Sequence, residues 1–387
     1  MIIIFGISVF LILYSYLIFP FILILLSINR KPNSVIYNND DELPLVSIII
    51  SAFNEEKVIE EKIKTTFNTT YPQEKIQVII GSDASTDDTN KIVKGITQVS
   101  KQVIFLEFPK RRGKSIVVNE LVEHASGEVL ILTDANVFFE KETIFEMIKH
   151  FKNQEIGLVD TNMKKCNLKK EGISLQEKTY INIEVSIKNK ESLIWGTMMG
   201  PFGGCFALRK NLFCPVPENN LVDDFYINMK ILEKGKKAIN EMASIVHEDV
   251  SNDLNEEIRR KKRIAAGNFQ NLIHFKYLIF SHIAGLSFCF ISHKIIRWFV
   301  PFLLIFAFIS NSFLVSVNTF FKITFVLQFL LIIIPLFDFL LKKTKIHIAA
   351  FRFITHFYFM NLALMLGFFK YAGGIKSGIW QPTRRNQ

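Results

Sequence analysis

The chain of 387 residues carries a formal charge of +10, is 49% hydrophobic and holds 38 phenylalanines. At about 150 residues per domain, the length allows two or three units. Residues 1–28 and the stretch Trp298–Phe321 contain no Asp, Glu, Lys or Arg. Both exceed the roughly 18–20 apolar residues needed to cross a bilayer core, which excludes a purely soluble or disordered chain.

The first apolar run is longer than a signal-peptide h-region of about 7–15 residues, and no basic n-region or small-residue cleavage site accompanies it. Residues 1–29 therefore read as a retained transmembrane anchor. Arg30 and Lys31 follow at once, and the positive-inside rule puts the next segment in the cytoplasm. A polar linker, 30–43, leads into a globular region at 44–271. Short β-branched runs recur there at 46–50, 77–81, 103–108, 128–132 and 156–160. Charged helical stretches lie between them at 55–68, 87–99, 114–125 and 141–152. This alternation predicts an α/β fold with a mostly parallel sheet covered on both faces. Such a sheet binds its ligand at the carboxyl ends of the strands.

Beyond the globular region the chain turns apolar again. Residues 272–298 read as an interfacial or membrane helix region, with Lys294, Arg297 and Trp298 suited to the membrane surface. Residues 299–371 read as a C-terminal transmembrane region with spans at 299–319 and 323–341, and 372–387 as a cytoplasmic tail. Lys342, Lys343 and Lys345 mark a cytoplasmic end. Three C-terminal spans would leave the basic tail (Lys370, Lys376, Arg384, Arg385) outside, against the positive-inside rule. Either 346–369 lies in the interface or 272–292 also spans. Arg352 favours the first, because a charge at mid-membrane is costly. Cys166, Cys205, Cys214 and Cys289 form no C-x-x-C pair and have no His at zinc spacing, so they read as buried thiols in a reducing compartment.

The chemical signal sits at the strand ends. The first strand runs into Asn54-Glu55-Glu56, the second ends in Asp83 followed by Asp87 and Asp88, and the fourth ends in Asp134-Ala135-Asn136. All three clusters open on one edge of the predicted sheet. Asp87 and Asp88 serve equally well as helix N-caps.

The ordered set NEE, DASTDDT, RRGKSIVVNELVEHASGEVLILTDAN and LVDDFYINMKILEKGKK resembles the family 2 glycosyltransferases. Within that family it looks like the membrane-bound branch that includes cellulose, hyaluronan and poly-N-acetylglucosamine synthases. The resemblance covers residues 44–271. It implies a GT-A-like nucleotide-sugar-binding domain, an inverting transfer and a divalent metal, Mg or Mn. It also implies a nucleoside-diphosphate (UDP-linked) sugar donor, a glycan or lipid-linked acceptor and polysaccharide-assembly partner proteins. The expected setting is the cell inner membrane, multi-pass, with the catalytic domain cytoplasmic.

Residue by residue, Asp83 matches the family aspartate that contacts the nucleoside base, with Asn54 and Glu55 lining the same pocket. Departure of a diphosphate needs charge neutralisation, which a hard cation on oxygen ligands supplies. Asp134 and Asn136 match the metal-binding Asp-x-Asp motif, with Asn in place of the second Asp; a plain turn after a strand is the alternative. Lys114, at a predicted helix start, is a candidate phosphate contact, although 110–114 also suits a lipid-facing loop. Asp224 matches the general base, which takes the acceptor hydroxyl's proton during attack. Asp223 beside it, the segment Gly203-Gly204-Cys205 and Arg260 are placed at the acceptor site; helix capping and a tight turn are the plainer readings. Arg263 matches the diphosphate-contacting arginine of Gln-x-x-Arg-Trp. Here the Gln is Arg260 and the Trp is Ile264, so sugar stacking at that position is lost, with Trp195 or Trp298 as substitutes. His247 is a weaker candidate near the site. A basic cluster adjoining a membrane segment, with no aromatic-interleaved module, argues against nucleic acid. The expected function is a single-sugar transferase. The alternatives are a processive synthase that secretes its polymer and a catalytically silent nucleotide-binding scaffold.

Overall fold

The computed structural model describes residues 1–38, 40–166, 174–249, 254–344, 346, 348–375 and 377–379. Lys345, Lys376, Arg384 and Arg385, named above as markers of sidedness, lie outside the described residues. The chain opens with helix α1 (Ile2–Leu13), a π-helical turn (Tyr14–Ile18) and α2 (Phe19–Ser27), which form one continuous apolar rod. The α/β domain follows as β1 (Val46–Ala52), α3 (Ile59–Phe67), β2 (Ile76–Asp83), α4 (Thr89–Thr97), β3 (Val103–Phe108), α5 (Lys114–Glu123) and β4 (Val129–Asp134). Its second half is β5 (Val137–Phe139), α6 (Thr143–Ile148), β6 (Ile156–Cys166), α7 (Ser174–Trp195), β7 (Cys205–Arg209), α8 (Asp223–Glu233), β8 (Lys237–Asp249) and α9 (Leu254–His274).

Among the described residues eight strands form one sheet in the order β3-β2-β1-β4-β7-β6-β8-β5. The first four are mutually parallel, as the βα alternation predicts. Antiparallel β7 then breaks the pattern between β4 and β6, and β5 pairs antiparallel with β8, so the sheet is mixed. Its core divides by the two-residue period of a strand. Ile49, Ile79 and Leu132 pack with α5 and α8 on one face, while Ile48, Ile50, Val78 and Ile131 pack on the other with α3 and α6. Each fully buried Ile or Leu contributes roughly 1.5–3 kcal/mol.

The remaining helices are α10 (Leu286–Cys289), a π-helical turn (Phe290–Ile295), α11 (Ile296–Ser312), α12 (Thr319–Lys343) and α13 (Ala349–Ala372). Among the described residues, four helices are long and apolar enough to cross a membrane: Ile2–Ser27, Leu286–Ser312, Thr319–Lys342 and Ala349–Ala372. The second begins at Leu286 rather than at 299. Lys294 and Arg297 do not end it because both pair with Glu184 of α7, at 2.5 and 3.0 Å. Residues 272–285 belong partly to α9 and form no span of their own.

Helix α13 lies along α9. A Cβ on Gly367 would stand 2.3 Å from that of Ala265, so only glycine permits this crossing. His356, near its start, faces Glu177 of α7 at 3.4 Å. Past its other end, a Cβ on Gly378 would meet the Glu218 carbonyl oxygen at 2.5 Å. Helix α13 thus touches the α/β domain through His356 and Gly367, and residue 378 beyond it does so again. The four thiols are free; Cys205 and Cys289 are buried, whereas Cys166 and Cys214 are only partly so.

Candidate active site

The parallel register sets Ala52 beside Ser82, and Ser51 beside Asp134. The ends of β1, β2 and β4 therefore open side by side on the carboxyl edge, as anticipated. The first two loops lock each other. Asn54 accepts from the Thr86 amide at 2.8 Å, and its own amide donates to the Ser85 hydroxyl. Glu56 and Asp87 exchange bonds with each other's loop at 3.0 and 3.1 Å. The Glu55 amide donates to Thr89 Oγ1 at 2.9 Å. Asp88 holds the N-cap position of α4 without a side-chain cap bond; the Thr89 amide donates instead to Asp87.

Asp83 is 3% exposed. Its carboxylate accepts from Arg111 Nε (3.0 Å) and from the backbone amides of Arg112 (2.6 Å) and Gly113 (3.0 Å). The Arg111 guanidinium also lies 3.4 Å over the Phe53 ring. Asp83 thus fixes the loop that delivers Lys114 to the head of α5.

Lys114 reaches into a cavity of about 270 Å³. Its ammonium donates to Asp134 Oδ1 at 2.7 Å and stands 3.8 Å from Asp223 Oδ2. Burial works to lower the Lys114 pKa, but Asp134, Asp223 and Asp224 outweigh it and raise it. Asp224, first turn of α8, accepts from the Phe225 amide at 2.7 Å. Burial, then the charge of Asp223, pushes its carboxyl up to about 7, although Lys114 and Arg263 pull the other way. Gly203 makes room for it, since a Cβ there would meet Asp224 Oδ2 at 2.6 Å.

Beneath the β4 end sits Lys62, fully buried. It donates to Thr133 Oγ1 (2.9 Å) and to the Val137 carbonyl (2.5 Å), and packs 3.5 Å over Phe139. Desolvation lowers its pKa to about 7. Its two bonds bracket the Asp134–Asn136 turn.

The cavity gathers Lys114, Asp134, Gly203, Gly204, Asp223 and Asp224, together with Arg260 and Arg263 of α9. Arg263 donates to the Leu221 carbonyl at 2.7 Å, and Arg260 is tied to Glu257 and Glu177. Asn54, Glu55 and Asp83 lie at the neighbouring strand ends, outside this cavity. Asn136, 1% exposed with its Nδ2 unpartnered, and Cys205, 0% exposed, do not line it either. Burial raises the Cys205 thiol to about 12, which leaves it inert. His247 is also away from the cavity and pairs with Glu140 at 2.7 Å.

Apart from Trp298, sequence reasoning missed the opposite wall. Tyr180, Glu184 and Lys188 of α7 line it, with Lys294 and Trp298 from the Leu286–Ser312 helix. The spacing 180, 184, 188 is a polar stripe on one helix face, and that was the available signal. Trp298 packs against Phe225 at 5.6 Å, whereas Trp195 packs at Gly285 and Phe288. Of the two tryptophans considered, Trp298 lines the cavity, as Ile264 does, and Trp195 does not.

A curled mixed sheet with acidic strand ends on one edge and a charged cavity against apolar helices defines the GT-A class of architecture. The mannosyltransferase PcManGT from Pyrobaculum calidifontis, solved in complex with GDP-Man and Mn2+, shares this fold with a TM-score of 0.71 at 18% identity, over 95% of this chain and 99% of that one. The family model Glycosyl transferase family 2 matches residues 47–214, and Glycosyl transferase family group 2 matches 193–370. The chain belongs to glycosyltransferase family 2. It is 26% identical over 185 residues to poly-beta-1,6-N-acetyl-D-glucosamine synthase of Staphylococcus aureus, covering 48% of this chain and 43% of the relative. The chain thus spans less than half the length of that synthase. It is 25% identical to the probable glycosyltransferase YdaM of Bacillus subtilis, covering 80% of this chain and 75% of the relative.

Proposed function

We propose that the protein is a membrane-bound inverting glycosyltransferase that moves a sugar from a nucleoside-diphosphate sugar to a glycan or lipid-linked acceptor in cell-surface polysaccharide or glycolipid synthesis. The observation that carries this reading is the Asp224 carboxyl, held near pH 7 in a cavity shared with Lys114, Asp134 and Arg263. A base poised near the operating pH combines the right protonation state with proton-transfer drive. Asp224 takes the acceptor hydroxyl's proton as its oxygen attacks the anomeric carbon. The bond to the diphosphate breaks on the opposite face, which inverts the anomeric centre. Lys114 and Arg263 offset the charge left on the diphosphate, while Asp83, Asn54 and Glu55 frame the base at the adjoining strand ends. Asp223, Gly203, Gly204 and Arg260 shape the acceptor side.

Among the described residues no three His, Cys, Asp or Glu side chains gather as a ready-made metal centre. Asp134 and Asp223, on either side of the Lys114 ammonium, nevertheless suit Mg or Mn, which bind through one or two carboxylates and substrate phosphates. Asp134 would hold the metal, and the metal would neutralise the departing diphosphate; the Asn136 side chain, buried off the cavity, would have to turn toward it to join.

The multi-pass arrangement favoured here has three crossings, Ile2–Ser27, Leu286–Ser312 and Thr319–Lys342, with the catalytic domain cytoplasmic beside Arg30 and Lys31. Helix α13 would lie in the interface. Its contacts with the α/β domain support this reading, which also keeps the chain beyond it on the basic side.

The test is a donor screen in membranes with Mg or Mn, reading nucleoside diphosphate release. The reading fails if no nucleotide sugar turns over, or if Asp224→Asn turns over as fast as wild type. Product length separates single transfer from processive synthesis.

A further inference from the structure

The acceptor-side segment from Met199 to Gly204 does not hold itself in place. The Met199 amide donates to Glu191 Oε2 at 3.0 Å, and the Phe202 amide to Asp160 Oδ1 at 3.2 Å. Asp160 is paired in turn with Lys188 at 2.5 Å, whose ammonium lies 3.3 Å over the Phe202 ring. Both Glu191 and Lys188 are α7 residues with almost no exposure.

The other oxygen of Glu191 faces His293 Nδ1 at 2.7 Å. His293, itself 0% exposed, belongs to the π-helical turn of the Leu286–Ser312 helix, and its Nε2 faces Glu184 Oε1 at 2.8 Å. Lys294 and Arg297 close on the same Glu184 carboxylate. Burial works to raise the Glu184 pKa, yet His293, Lys294 and Arg297 hold it well below the usual range. The π-helical turn of the first apolar rod meets this one through Tyr14 Oη and Ser292 Oγ, 2.8 Å apart. Arg297 donates to the Ser15 carbonyl at 3.3 and 3.4 Å. Isolated π-turns concentrate at functional sites because each one swings side chains off the regular helical face.

A single imidazole and a single carboxylate thus separate a membrane helix from a backbone amide of the acceptor-side segment. We infer that His293 is a positioning residue that couples the Leu286–Ser312 helix to the 199–204 segment through Glu191, so that the acceptor pocket takes its shape from how the two π-turned helices seat against each other. A buried network that is fully bonded transmits a displacement; breaking one member leaves buried groups unpaired and loosens the rest. The inference rests on the acceptor-side reading of Gly203 and Gly204, which end this segment, for its functional meaning, though not for its test.

Hydrogen exchange read by mass spectrometry on the full chain in detergent micelles decides the matter without turnover. His293→Ala should speed exchange of the Met199 and Phe202 amides by about tenfold or more, while β1 and the 111–113 loop keep wild-type protection. Glu191→Gln, which keeps an acceptor for Met199 but no charge for His293, should give a smaller change at the same amides. Unchanged exchange at 199–204, or a uniform rise across the sheet, overturns the coupling even if transfer proves robust. In the active enzyme, His293→Ala should raise KM for acceptor about tenfold with donor KM unchanged; an equal rise in both overturns the positioning role. Accelerated exchange beside a failed donor screen would support the coupling and sink only the glycosyltransferase reading.

Discussion

Replacing Asp224 by Asn should trade activity for stability, and the trade should depend on pH. In the folded protein the Asp224 carboxyl rises from 3.8 to about 7, first through burial and then through Asp223. Between roughly pH 4 and 7 the native state therefore holds a proton that the unfolded state has released. Stability falls as pH climbs through that window and levels off above it, a loss of at most about 4 kcal/mol. The Asn variant carries no such charge. The stability gap between variant and wild type should widen from pH 5 to pH 7.5 and then stay constant. For a domain of this size each kcal/mol moves Tm by about 2–4 °C, so several degrees are expected at the alkaline end. In parallel kcat should drop by about 10²–10⁴, the usual worth of a positioned base, and wild-type kcat/KM should climb to a plateau above about pH 7. Thermal melts in micelles across pH, paired with diphosphate-release assays, measure both. A gap that is independent of pH, or that narrows as pH rises, would refute the assignment of the raised carboxyl to Asp224.

Four further substitutions probe neighbouring features. Gly203→Ala places a methyl 2.6 Å from the Asp224 carboxylate, so kcat should fall at least tenfold, with Tm within a few degrees of wild type; unchanged kcat would show that the base does not need that gap. Lys62 has a pKa lowered to about 7 by desolvation, so it makes wild-type stability rise between about pH 7 and 10; in Lys62→Met that rise should flatten in pH-resolved melts. Asn136 is buried off the cavity, so Asn136→Asp buries an uncompensated carboxylate: Tm should fall while the Mn concentration for half-maximal diphosphate release stays unchanged, and a lowered Mn requirement would put residue 136 on the metal. Gly367→Leu forces α13 off α9, at a cost of about 1–3 kcal/mol or more for overpacking, readable as a lowered Tm and as new protease cleavage near the helix.

The parallel half of the fold was legible because buried parallel strands leave a plain mark: VSIII, QVIIG and EVLIL are apolar on both faces, and helical stretches alternate with them. The acidic strand ends Asp83 and Asp134 follow from that topology, whereas Asp223 and Asp224, in the first turn of α8, were singled out only by the family resemblance. β5 and β7 escaped because they are short and antiparallel, and nothing in three to five residues distinguishes such a strand from a loop. The start of the Leu286–Ser312 helix was misplaced because Lys294 and Arg297 look like a membrane boundary until Glu184 is seen beside them. Asn136 and Cys205 were drawn toward the cavity by their neighbours in sequence, whereas strand alternation on β7 turns Cys205 inward and Asn136 is buried in the turn between β4 and β5. The α7 wall was invisible in the same way: a charged helix reads as solvated until its partners across the chain are known.

The bond between Tyr14 and Ser292 joins residues 278 positions apart, which has a bearing on how the protein is made. At a synthesis rate of about 5–20 residues per second, the first apolar rod waits roughly 15–60 s before its partner helix leaves the ribosome. Throughout that interval Ser8 and Ser15, buried in the finished protein, face lipid or a holding factor, and the α/β domain folds with its membrane-side wall still missing. The cavity gains Lys294 and Trp298 only when the late helix docks on the early one. Docking of the late helix on the early one and completion of the cavity are thus one event, and a chain stalled before that docking would be folded in its sheet yet lack one wall of the cavity.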